Sequence, residues 1–142
     1  FAPIMTYITR REHFNAAHKV YNPKWSDKKN LEVFGVCANP NWHGHNYELF
    51  VTVKGKIRKD TGFVVDLRML SELIKKLVVD KVDHKNFNLD VPFMKGLIPS
   101  TENIVVAFWE QLEKPIAKLG CRLHCIKLQE TENNAVEYFG EK

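Results

Sequence analysis

His43-Gly44-His45 sets two imidazoles two positions apart at the head of an alternating apolar segment. On an extended chain, side chains at i and i+2 project to the same side. Two imidazoles so placed can meet one ion, with zinc–nitrogen bonds of ~2.0–2.1 Å. Gly44 leaves room between them and lets the backbone bend. His18 ends an earlier strand-like segment, and an antiparallel neighbour would bring it beside the pair. Three neutral imidazoles with an open fourth position make a catalytic zinc pattern. The plainer reading of the same residues is two solvent histidines in a loop and one at a strand end. A closed structural site would need a fourth protein ligand, for which Cys37 is the nearest residue.

Three further places carry reactive groups. Cys37 lies six residues before His43, in a polar stretch. A thiol near zinc and histidine can hold its thiolate near neutral pH and act as base or nucleophile; otherwise it is an ordinary loop cysteine. Asp83-His84 follows a helical pattern. A carboxylate beside an imidazole fixes its tautomer and supports proton relay, although neighbours in sequence often point apart. Glu130 ends a strand-like run. A fixed carboxylate there can accept two hydrogen bonds from an amidine-like edge, such as the amino-pyrimidinone of a pterin or guanine. Taken alone, a glutamate beside a turn is usually just solvated.

The elements that must position these groups are mixed. Thr6 to Ala16 reads as a strand, and Tyr47, Leu49, Val51 and Val53 alternate with polar residues as a half-buried one. Residues 22–41 read mostly as loop, and Phe63 to Val65 as a strand continuation after the Asp60-Thr61-Gly62 turn. Asp66 caps a helix whose apolar positions are Leu67, Leu70, Leu73, Ile74, Leu77 and Val78. Val82 to Pro99 reads as loop. Ser100 or Thr101 caps a second helix, which Pro115 should end or kink. Leu123 to Glu130 and Ala135 to Phe139 are the last two strands. This order points to a single α+β domain over residues 1–142 with an antiparallel sheet. Its open edges need cover, so a homo-oligomer is expected.

The bulk composition narrows the function classes. The net charge of +4 suits an anionic substrate but is too weak, and too scattered, to argue for nucleic acid. No apolar run approaches the ~20 residues of a membrane helix. Three cysteines without framework spacing point to free thiols and a reducing compartment, hence a cytoplasmic protein. The opening Phe1-Ala2-Pro3-Ile4-Met5-Thr6 lacks the blocks of a signal peptide, which leaves a removed leader open.

The segment from Cys37 to Tyr47, Cys-Ala-Asn-Pro-Asn-Trp-His-Gly-His-Asn-Tyr, resembles the signature of 6-pyruvoyl-tetrahydropterin synthases. So do Phe14 to His18, Val82 to Asn86, Pro99 to Asn103 and Glu130 to Asn134, in family order across nearly the whole chain. The resemblance implies a tunnelling fold: a four-stranded antiparallel sheet with two helices on one side. Three sheets would join into a barrel, and two trimers would stack into a homohexamer with active sites between subunits. It implies one zinc per subunit on His18, His43 and His45, Cys37 as general base, and Asp83 and His84 as relay. Glu130 would anchor the pterin ring, helped by Thr101 and Glu102. The implied reaction converts 7,8-dihydroneopterin triphosphate to 6-pyruvoyl-tetrahydropterin by triphosphate elimination and side-chain isomerisation, in tetrahydrobiopterin biosynthesis. Magnesium would accompany the triphosphate, although no motif offers it a site, and the lysines or arginines that hold the triphosphate are not singled out.

Two positions depart from the family pattern. Trp42 stands beside the metal pair where many relatives carry glycine, and His13 falls near a serine that some animal relatives phosphorylate. Two rival readings stay open. One is 6-carboxy-tetrahydropterin synthase, whose cysteine usually sits closer to the His-Gly-His than the five intervening residues here. The other is a non-catalytic zinc protein closed by Cys37.

Overall fold

Strand β1, Met5–His18, and strand β2, His43–Lys56, form a long antiparallel ribbon paired from Met5↔Lys56 to His18↔His43. The computed structural model describes residues 4–142, so the reading of Phe1–Pro3 lies outside the described residues. Strands β4, Arg122–Thr131, and β5, Asn134–Tyr138, extend the sheet on the β2 side. A two-residue strand β3, Lys85–Asn86, runs parallel to β1 at Ala16 and Ala17. The order is β3-β1-β2-β4-β5. The four antiparallel strands are those expected; β3 adds a fifth, too short to leave a periodic signal.

Alternation decides which face is covered. Phe14, Ala16, Tyr47, Leu49, Val51, Val53, Ile126 and Leu128 are buried on one side. Helix α4, Thr101–Ala117, lays Ile104, Val105, Phe108, Leu112 and Ile116 against that side. Ser100 caps α4 by accepting a hydrogen bond from the Asn103 N–H. Helix α2, Leu67–Ile74, starts at Asp66, whose carboxylate accepts from the N–H groups of Arg68 and Met69. It runs on through a π-helical turn, Lys75–Val79, into the short α3, Asp80–Val82. None of these helices is long and apolar enough to cross a membrane.

Four expectations need correction. Residues 22–41 are not mostly loop: Ser26 caps helix α1, Asp27–Phe34, and a 3-10 turn, Gly35–Ala38, follows. Its one buried residue is Asn30, whose amide serves the preceding loop at Asn22, so α1 shows no apolar stripe. Phe63 to Val65 is irregular rather than strand, because the Phe63 carbonyl accepts from Arg58 N–H and closes a loop instead of a ladder. Pro115 does not end α4, which runs to Ala117. In the last turn a proline removes only one intrahelical bond. Val82 to Pro99 is not all loop, since it holds α3's last residue, β3 and a 3-10 turn at Pro92–Met94.

One buried carboxylate ties α2 to β1. Glu12 Oε1 accepts from Ser71 Oγ at 2.6 Å and from Arg10 Nε at 2.8 Å. Burial pushes the Glu12 carboxyl up, but those two hydrogen bonds and the charges of Arg10 and Lys75 outweigh it and hold it below the usual range. A depressed carboxylate stabilises the fold above its unfolded pKa, and that share is lost as pH falls through the folded value. Ser71→Ala should therefore cost about 1–3 kcal/mol near neutrality. The gap from wild type should shrink in acid, once pH falls through the depressed folded value and Glu12 takes a proton. Urea midpoints at the two pH values check both statements.

Candidate metal centre and active site

The β1–β2 register places His18 opposite His43 and Ala16 opposite His45. All three histidines fall on the helix-covered face at one end of the ribbon, as alternation requires. Their ring centroids are 4.5 Å apart for His18–His43 and 5.1 Å for each other pair. One nitrogen from each lies within 4.8 Å of the other two. Cys37 is not in that group. Gly44 takes no positive φ, and a Cβ there would meet Ala16 O at 3.4 Å, an ordinary contact.

A carbonyl fixes the tautomer at the centre. His18 is buried, and its Nδ1–H donates to Pro99 O at 2.8 Å, just before α4 begins. That leaves Nε2 as a lone pair. Nε2 of His18 and Nε2 of His45 are buried and have no hydrogen-bond partner. Burial also holds His18 and His43 below the ordinary histidine range; for His18 it outweighs the Pro99 hydrogen bond. Neutral imidazoles with unpaired nitrogens, one oriented by a backbone carbonyl, are what a zinc ion needs from its ligands. The donor set fits the metal.

Glu130 reaches the same place from β4. A register irregularity between Gln129 and Thr131 sets its position. Thr101 Oγ1, in the first turn of α4, donates to Glu130 Oε2 at 2.5 Å. The carboxylate oxygens lie 3.7 Å from His45 Nε2 and 4.0 Å from His18 Nε2. Two cavities meet at Glu130. One, of about 340 Å³, is lined by Thr101, Glu102 and Val20 among others. The other, about 980 Å³, takes in His13, His45, Tyr47, Asp83 and His84. So Thr101, Glu102 and Glu130 share one recess beside the histidines.

Asp83 and His84 do touch. Asp83 Oδ1 lies 3.1 Å from His84 Nδ1 and accepts from Asn15 N–H at 2.9 Å. His84 N–H donates to Asn15 O at 2.6 Å. His84 sits in the left-handed region at φ 59, where histidine is more tolerated than most residues. That turn brings the two neighbouring side chains together. The Asn15 N–H, with help from His84, holds the Asp83 carboxyl below its ordinary range. The His84 side chain is 82% exposed, open to a proton-exchange partner.

Cys37 lies in the 3-10 turn and is half-buried. Its carbonyl accepts from Val20 N–H at 2.8 Å, which ties the turn to the chain just beyond His18. No hydrogen bond joins Cys37 to Asp83 or His84 within the chain among the described residues. Sequence reasoning missed two participants, Pro99 and Asn15. Both act through backbone atoms, which leave no side-chain signal.

A family model described as 6-pyruvoyl tetrahydropterin synthase matches residues 7–141. The chain belongs to the 6-pyruvoyl tetrahydropterin synthase family. The 6-pyruvoyl tetrahydrobiopterin synthase of Homo sapiens is 42% identical over 134 residues, covering 94% of this chain and 91% of that protein. The Dictyostelium discoideum enzyme of the same name is also 42% identical, over 94% of this chain and 96% of its own. The solved structure of Caenorhabditis elegans 6-pyruvoyl tetrahydropterin synthase superposes with a TM-score of 0.92 at 35% identity, covering 99% of each chain. This chain is thus an enzyme with the synthase family's α+β fold.

Proposed function

We propose that this synthase-family enzyme is a zinc-dependent carbon–oxygen lyase that converts 7,8-dihydroneopterin triphosphate to 6-pyruvoyl-tetrahydropterin and triphosphate. The observation that carries this reading is the pair of orphaned Nε2 atoms beside a carboxylate already fixed by Thr101. His18, His43 and His45 would hold the ion. Zinc there would act as a Lewis acid for the oxygens of the substrate side chain.

The chain's own groups supply the remaining steps. Glu130, held by Thr101, accepts hydrogen bonds from the amino-pyrimidinone edge and sets the pterin ring. Glu102 faces the same recess. Cys37 takes a proton from carbon beside a hydroxyl, and triphosphate leaves. His84, oriented by Asp83, carries protons between that base and solvent. No hydrogen bond joins Cys37 to the Asp83–His84 pair within one chain among the described residues. That favours sites completed between subunits of a homohexamer, two stacked trimers whose sheets join edge to edge.

The longer cysteine gap and the pyruvoyl-type names of the 42% identical relatives favour this product over the carboxy product. A structural zinc closed by Cys37 is disfavoured because the thiol lies outside the three-nitrogen group. Product identification tests the reading. Zinc-loaded protein incubated with dihydroneopterin triphosphate should release triphosphate and yield the pyruvoyl compound. Acetaldehyde with the carboxy product would overturn it in favour of the rival.

A further inference from the structure

Tyr47 poses a question that the metal reading leaves unanswered. Its side chain is fully buried on the covered face, stacked on Phe14 at 4.9 Å and edge-on to Phe87 at 5.8 Å. Phenylalanine would satisfy every one of those contacts. Yet the residue carries a hydroxyl, and that hydroxyl has no hydrogen-bond partner. A buried hydroxyl left unpaired destabilises the fold and asks for an explanation. The other buried side-chain atoms without partners, among the described residues, are Nε2 of His18 and Nε2 of His45. The Tyr47 ring lies 5.5 Å from the His45 ring and 6.2 Å from that of His18. The three orphaned atoms therefore belong to one neighbourhood. An ion accounts for the two nitrogens but cannot accept from an O–H group.

We propose that the Tyr47 hydroxyl is a ligand-contacting donor, which makes its hydrogen bond only to an oxygen that a bound pterin brings into the site. This rests on the pterin reading above. Packing of the ring against Phe14 and Phe87 fixes it in place, so the unpaired hydroxyl is preorganised for an incoming acceptor.

Tyr47→Phe tests this, with 7,8-dihydroneopterin as the probe. Wild type and variant, both zinc-loaded, are titrated with the pterin by fluorescence, and unliganded thermal midpoints and zinc content are recorded. The expected result has three parts. Pterin affinity falls about 5–30-fold, the loss of one buried hydrogen bond of ~1–2 kcal/mol. The unliganded midpoint is unchanged or higher, because an unpaired hydroxyl has gone. Zinc stays at the wild-type level. Equal pterin affinity in the two proteins overturns the proposal. So does a lower midpoint with unchanged affinity, which assigns the hydroxyl to a structural water. If wild type itself fails to bind the pterin, the substrate reading falls first, and the Tyr47 role falls with it.

Discussion

Cys37→Ala is expected to lower turnover by about 10²–10⁴-fold, the worth of a well-placed general acid–base group, while zinc remains at one ion per chain. The reason lies in where the thiol sits. Val20 N–H ties the Cys37 carbonyl to the chain just after His18, so the turn rides beside the three histidines without joining their group. On the proposed mechanism, removing the sulfur would delete the base and leave His18, His43 and His45 intact. Metal analysis of the purified variant and rate measurement on the same sample separate the two effects. Loss of zinc in the variant would make Cys37 a ligand, and wild-type turnover would deny it any role in catalysis.

His18→Ala should have the larger effect on the whole molecule. The imidazole is 1% exposed and donates to Pro99 O. Its loss opens a cavity, leaves a carbonyl unpaired at the entrance to α4 and, on the proposed zinc reading, would remove a ligand. The unpaired carbonyl alone costs about 1–3 kcal/mol. The metal's own contribution goes as well: a ligand present at ~1,000 times its dissociation constant stabilises the folded state by about 4 kcal/mol. Chelation should therefore lower the thermal midpoint of wild type and leave that of the variant unmoved. His45→Ala is the gentler companion, since that ring is part-exposed and holds no backbone carbonyl. It should fold, lose zinc and lose activity. Stoichiometric zinc in His45→Ala would remove that residue from the ligand set.

The clustering of the three histidines was legible because strand alternation is a strict period. Once His43 and His45 share a face, only the antiparallel partner is needed, and the His18↔His43 register supplies it. The α2 and α4 stripes were legible for the same kind of reason, with Asp66 and Ser100 marking their starts. Helix α1 was hidden because its buried residue is a polar loop anchor, Asn30, rather than an apolar stripe. The contact between Asp83 and His84 depends on one left-handed residue, which no composition rule requires of histidine. The Pro99 carbonyl and the Asn15 backbone are invisible to any reading of side-chain types. Tyr47 looked like one more inward position of an alternating strand, and its hydroxyl gained meaning only when its surroundings offered no partner.

Zinc titration into the metal-free enzyme, followed by triphosphate release from dihydroneopterin triphosphate, tests the central claim most directly. Release should rise in proportion to added zinc and level off at one ion per chain. Full turnover by protein stripped of zinc would contradict the account.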